Sequence, residues 1–216
     1  RMGGHKINHY RNNGPELPVW PVITESCNLG TARIDKMIGP EKQREFLSSL
    51  GYTKPTSIEM IEASGGKPLL PKRWNELETM TISYGHGLSA TPLHLATGYA
   101  TLANGGRLVK PTLLEEEKLG LGQQIISKEV AKNSLAMLRG VVTEGTASLA
   151  DVNGYFVAGK TGTADKPSAQ GGYDKEKNIT SFASIFPVHE PKYVLVVTLD
   201  EAQDTSGPEP KRTAGW

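Results

Sequence analysis

The stretch Ala158-Gly159-Lys160-Thr161-Gly162-Thr163-Ala164 constrains this chain more than any other, because it sets a fixed cation between glycines and beside two hydroxyls. On an extended segment these residues present Lys160, Thr161 and Thr163 to an anionic group, most simply a carboxylate. Counted from Gly154, the same residues also spell GxxxxGK[ST], the pattern of phosphate-binding loops. Such a loop needs small residues between its glycines so that backbone N–H groups can wrap phosphate, and it leads directly into a helix. Here the intervening positions are Tyr155, Phe156, Val157 and Ala158, which read as strand, and Gly162, Lys166-Pro167 and a polar run follow. No helix N-terminus is offered to phosphate, so the strand reading is retained and a P-loop nucleotidase stays only as an alternative.

A second motif, Ser26-Cys27-Asn28, lies 134 positions upstream of Lys160. It follows the apolar stretch Val19 to Ile23 and precedes Leu29 to Ile34, which reads as the start of a helix. Alone, the triplet would be a capping Ser and a turn Asn. In combination, SxN and KTG are two of the three motifs that mark penicillin-binding proteins and their β-lactamase relatives, the third being SxxK. Three further stretches fit: Ile82 to Pro92 followed by Leu93 to Ala96, then Tyr99 to Gly106, and Val142-Thr143-Glu144-Gly145-Thr146-Ala147 just before the KTG strand. On these residues, which extend over most of the chain, the sequence resembles the transpeptidase domain of class B penicillin-binding proteins. The Tyr84-Gly85-His86-Gly87-Leu88 form is closer to the septal, cell-division branch than to the elongation branch.

The resemblance implies an α+β fold of the penicillin-binding protein and β-lactamase type, an antiparallel sheet flanked by helices and incomplete in this chain. The family's central sheet is five-stranded, with its first two strands supplied from upstream of SxxK and a closing helix expected just beyond Trp216. The implied activity is peptidoglycan D,D-transpeptidation through an acyl-serine, the reaction that β-lactam antibiotics block. A stem peptide ending in D-Ala-D-Ala would lie along Lys160 to Ala164 like an added strand. Thr161 and Thr163 would hold its carboxylate, Lys160 would supply positive potential, and Gly162 would leave room for the ligand. The Thr163 N–H would form half of an oxyanion hole. Ser26 would relay a proton to the leaving amine and Asn28 would orient the substrate's peptide group. Tyr84 and His86, in a glycine-bracketed loop, either line the cleft or form a structural turn. Division-machinery partners and a periplasmic or extracytoplasmic location, with a membrane anchor outside this chain, follow from the same resemblance; no cofactor or metal is implied.

The family's nucleophile is the Ser of SxxK, expected well before SxN, whereas 25 residues precede Ser26. The nucleophile and the N-terminal part of the domain are therefore expected outside these residues. The one SxxK string, Ser64-Gly65-Gly66-Lys67, is a decoy, because each glycine makes the required helical turn unfavourable by about 1 kcal/mol and Pro68 and Pro71 follow. A non-catalytic relative that keeps the cleft as a binding surface remains an alternative that the upstream sequence would decide.

At 216 residues the chain suits one domain or the larger part of one. Its net charge of +1, without a basic stripe, argues against nucleic acid as a partner. Glu115-Glu116-Glu117 reads as a solvated loop. Cys27, the only cysteine, excludes an intrachain disulfide and reads as a small buried filler rather than a thiol nucleophile. His5 and His9 stand four apart, but Gly3-Gly4 disfavours the helix that would make them metal ligands. No apolar run approaches the roughly 18 residues of a membrane span.

Residues 1–150 are expected to be mostly helix and loop, and residues 151–216 to form the sheet part. Pro40 to Leu50, Thr91 to Ala103 and a segment capped by Ser127 read as helices, and Lys54 to Trp74 as an irregular connection. Tyr155 to Ala164, Thr180 to Val188 and Lys192 to Asp200 read as strands. Asp165 to Asn178 reads as a loop that moves in the absence of a partner, and Lys192 to Asp200 as an apolar edge.

Overall fold

The computed structural model describes residues 16–115, 122–168, 171–207 and 211–215. His5, His9, Glu116 and Glu117 lie outside them.

Helices come first and strands last. α1 (Val19–Thr24), α2 (Asn28–Ile38), α3 (Pro40–Ser49), α4 (Glu76–Ser83), α5 (Pro92–Ala103) and α6 (Lys128–Thr143) precede β1 (Ala158–Pro167), β2 (Tyr173–Phe186) and β3 (Tyr193–Asp200). The caps explain several of these bounds. Gly39 turns the chain at φ 86° between α2 and α3, and Pro40, whose missing N–H would be unpaired there anyway, starts α3. Thr91 and His94 form a reciprocal capping box at α5, and the Ser127 hydroxyl accepts the N–H of Val130 at α6.

Two buried polar side chains pin the helical part. Gln43 on α3 donates to Asp35 Oδ2 on α2 (2.8 Å) and to the Thr79 carbonyl on α4 (2.9 Å), while its own oxygen accepts the Trp74 indole N–H (2.9 Å). The His94 ring accepts the Thr91 N–H through Nδ1 (3.3 Å), so Nε2 is left to donate to the Lys54 carbonyl (2.7 Å). That bond ties the start of the irregular 54–74 connection to α5.

The sheet is antiparallel with order β1-β2-β3. α6 packs on β1, and α5 on β2 and β3. Val141 and Val142 of α6 form a buried cluster with Ala147 and Val157, closed by Phe182 and Phe186 of β2. Ala158, Ala183 and Ile185, also buried, share the opposite face of the sheet. Along β3, Tyr193, Leu195, Val197 and Leu199 pair with the Phe182 and Phe186 face yet remain exposed beyond the reach of α6. No helix among the described residues is long and apolar enough to cross a membrane.

Three expectations need correction. Tyr155 to Val157 are not strand: Gly154 (φ 86°) and Phe156 (φ 51°) turn the chain, and ladder pairing begins only at Ala158 opposite Ile185. Most of Asp165 to Asn178 is not loop. Both strands run on through it, with a register shift after Asp165, Lys166 opposite Asp174 and Pro167 opposite Tyr173, and the chain reverses around Gly171 and Gly172 at positive φ. Backbone ladder bonds need no apolar side chains, so a polar composition hid the extension. β2 stops at Phe186, two residues before the expected Val188. α1, α4 and a short 3-10 helix, Ile61–Gly65, are elements that the sequence does not single out.

Candidate active site

Ser26 sits where α1 ends. The Cys27 N–H returns to the Val22 carbonyl (2.9 Å) and the Ser26 N–H to that of Ile23 (3.2 Å), the two bonds of a Schellman cap. That cap puts its turning residue in the left-handed region, and Ser26, at φ 54°, occupies the position that usually belongs to glycine. A non-glycine residue there costs roughly 1 kcal/mol, a strain the cap bonds and the buried neighbours Thr24 and Cys27 hold in place. Asn28 follows as the first residue of α2.

Alternation along β1 divides the KTGT residues between two faces. Lys160 passes to one side, where its Nζ donates to Ser26 Oγ (2.8 Å) and to its neighbour's carbonyl, Thr161 O (3.0 Å). Burial disfavours the ammonium and pushes its pKa down from 10.5 to about 8. A lysine so placed is still charged at neutral pH, yet gives up a proton more readily than a solvated one.

On the other face, Thr161 Oγ1 lies 3.0 Å from Thr146 Oγ1, and Thr163 Oγ1 accepts the Ala214 N–H (3.1 Å). Gly162, on the Lys160 face by the same alternation, meets open space: a Cβ there would find nothing closer than the Ser181 carbonyl at 4.0 Å. Nothing in the protein interior requires glycine at 162. Gly159 is different, since a Cβ would strike the Ala183 carbonyl (2.6 Å) and the Phe182 ring (2.7 Å). β1 pairs with β2 on one side only, so among the described residues its other backbone edge is open beside Lys160, Thr161 and Thr163.

Ser26, Lys160 and Thr161 are thus one hydrogen-bonded group. Tyr84 and His86 meet a different partner. Gly85 and Gly87, both at positive φ, turn the loop after α4 so that the His86 ring lies 5.5 Å from Tyr84 and edge-on to Tyr173 at 5.2 Å. The pair packs against the far end of the β1–β2 hairpin. Burial, with a smaller contribution from Tyr173, raises the Tyr84 pKa. Cys27 is buried at the N-cap of α2, as a filler would be. Ser64 lies in the 3-10 turn with its hydroxyl on the Ile61 carbonyl (3.0 Å), and Lys67 follows after the turn has ended.

Sequence reasoning missed Thr146 as a site residue. In the sequence Gly145-Thr146 stands out only as part of a family-like stretch, and the contact that matters is between side chains 15 positions apart across two elements. The geometry suits the holding of an anion-bearing extended chain against β1, with the Ser26 hydroxyl and the lysine bonded to it alongside.

The profile described as penicillin binding protein transpeptidase domain matches residues 1–214. The chain is 30% identical over 227 residues to the probable peptidoglycan D,D-transpeptidase FtsI of Caulobacter vibrioides, in an alignment covering 100% of this chain and 38% of that protein. Among solved structures, the transpeptidase domain of Burkholderia pseudomallei penicillin-binding protein 3 superposes with a TM-score of 0.79 at 34% identity, over 86% of this chain and 56% of that one. Penicillin-binding protein 3 from Mycobacterium tuberculosis, complexed with aztreonam, gives a TM-score of 0.82 at 27% identity, over 92% and 49%. The chain therefore spans well under half the length of the curated relative it matches. The profile match over nearly every residue, on a fold that carries SxN against KTGT, decides the family: this chain belongs to the penicillin-binding protein transpeptidase domains.

Proposed function

We propose that the protein carrying this chain is a peptidoglycan D,D-transpeptidase of the septal type, acting at the extracytoplasmic face of the inner membrane on stem peptides ending in D-Ala-D-Ala. The observation that carries the reading is the 2.8 Å bond from Lys160 Nζ to Ser26 Oγ, made across 134 residues beside an open strand edge. The donor peptide adds to that edge by backbone pairing. Its terminal carboxylate accepts hydrogen bonds from the hydroxyls of Thr161 and Thr163, and the Lys160 charge favours the anion. The Thr163 N–H supports the oxyanion, and the Asn28 amide orients the scissile peptide. Ser26 gives its hydroxyl proton to the departing D-Ala amine and recovers one from Lys160, whose pKa near 8 suits that exchange. Tyr84 and His86 border the cleft at the hairpin.

The attacking serine is assigned to an SxxK helix outside these 216 residues, because Ser64 fails the geometry. Residues 1–150 and 151–216 are then the helical and sheet parts of one incomplete domain. β-Lactams would acylate the same serine, and division-machinery proteins would be the natural partners. The deciding experiment is labelling of the full-length protein with a fluorescent penicillin. Lys160→Ala should slow acylation by about 100-fold or more, the usual scale of lost acid–base catalysis. An unchanged rate removes Lys160 from the mechanism. A P-loop reading has no support in the geometry, since Lys160-Thr161 continues as strand to Pro167 rather than entering a helix.

A further inference from the structure

We infer that Thr146, in the turn that follows α6, is a positioning residue for Thr161, and that it acts by donating its hydroxyl proton to Thr161 Oγ1. The inference rests on the reading of Thr161 as a carboxylate-holding hydroxyl. A threonine hydroxyl has one proton and two lone pairs. To hold an anion Thr161 must point that proton at it as a hydrogen-bond donor, which leaves its oxygen able to accept. The hydroxyl 3.0 Å off is that of Thr146. With Thr146 donating, the Thr161 proton is free for the substrate; with the roles reversed it would be spent inside the pair, and the carboxylate would face lone pairs.

Thr146 is built to stay in place. Its N–H donates to the Thr24 carbonyl (3.2 Å), and the next N–H, that of Ala147, returns to the Val141 carbonyl (3.0 Å). Gly145 allows this approach: a Cβ there would stand 2.2 Å from the Thr24 carbonyl oxygen and 2.9 Å from the Val141 backbone. Thr24 lies two residues before Ser26. A closed circuit results, running from Thr24 through Thr146, Thr161 and Lys160 to Ser26 and back along the chain. Thr146 is thus the link that sets the hydroxyl face of β1 in register with the serine turn, and the bond it donates polarises the Thr161 hydroxyl as a donor.

The test compares acylation of the full-length protein by a penicillin and by its methyl ester, which lacks the anion. The ratio of the two second-order rate constants measures recognition of the carboxylate. Thr146→Val keeps the shape and removes the donor, and should lower the ratio by about tenfold, the scale of one net hydrogen bond. Thr146→Ser must keep the wild-type ratio. In a Thr161→Val background, Thr146→Val should have no further effect on the ratio. Equal loss on acid and ester in Thr146→Val, or additivity in the double variant, marks a merely structural clamp and overturns the inference. Should the valine variant fail to fold, Thr146→Ala is read by the same ratio. A wild-type protein acylated by neither compound overturns the transpeptidase reading and this inference with it, whereas acylation with an unchanged ratio in Thr146→Val overturns this inference alone.

Discussion

Replacing Lys160 by methionine should make the protein respond differently to pH, and the structure supplies both sign and size. The folded-state pKa of Lys160 is near 8, against 10.5 when solvated, because burial disfavours its charge. Below pH 8 both folded and unfolded states hold the proton, and the folded state bears the whole desolvation cost. Between 8 and 10.5 the unfolded chain keeps the proton while the folded one releases it, so stability rises with pH; above 10.5 the difference is gone. The full difference corresponds to about 3 kcal/mol, of which about 2 should appear between about pH 7 and pH 9.5. Methionine carries no charge and should show none of it. At neutral pH the variant gains roughly 3 kcal/mol from the absent charge and loses two hydrogen bonds worth roughly 1 kcal/mol each, for a net stabilisation of about 1 kcal/mol. Urea unfolding at the two pH values, followed by tryptophan fluorescence, reads the difference directly. The other high-pH groups, such as Tyr52 with its pKa pushed up to about 12 by burial, are common to both proteins and cancel. Parallel stability curves for wild type and Lys160→Met would refute the claim that Lys160 is held as a costly buried cation.

Substitutions at two further positions test the frame around that lysine. Ser26→Gly and Ser26→Ala both remove the hydroxyl bonded to Lys160, but only glycine relaxes at φ 54°, so the glycine variant should be more stable than the alanine variant by about 1 kcal/mol in thermal melts; equal melting temperatures would mean the left-handed turn is not strained. Gly145→Ala places a Cβ against backbone atoms of both Thr24 and Val141, none of which can rotate away, and should cost about 3 kcal/mol along with a loss of penicillin acylation. Unaltered stability there would show that the 141–147 turn is free to shift.

How far the sequence reached is best seen at the two motifs. The helices begun by Pro40, Thr91 and Ser127 were legible because each cap and breaker acts within a turn of itself, where no distant residue can override it. The Ser26 turn was legible only as a motif. Its left-handed backbone depends on bonds back to Val22 and Ile23, from an α1 whose proline and short length offered no helical rhythm. α4 was missed for a similar reason: its apolar positions are too few to stand out, and its place is set by Gln43 reaching across from α3 to the Thr79 carbonyl.

In the strand region local text misled in both directions. An apolar run, Tyr155 to Val157, turned out to be a turn, and a polar run, Asp165 to Pro167 with Tyr173 to Asn178, turned out to be strand, paired at Tyr173, Asp174 and Asn178 and bulged between them. Pairing is decided by backbone partners, and partners lie in another strand.

The residues alone determined that a lysine and two threonines would share a glycine-spaced strand, because composition and short-range sterics suffice for that; they did not determine the Ser26 turn, where the N-cap of α2 is Cys27 and the serine hydroxyl caps no helix. Only the folded chain decided that Lys160 turns to Ser26 while Thr161 turns to Thr146, and that burial brings the lysine within reach of proton exchange. Alternation along a strand assigns faces, but what stands on each face is a matter of packing between segments, 134 residues apart at Ser26 and 15 apart at Thr146.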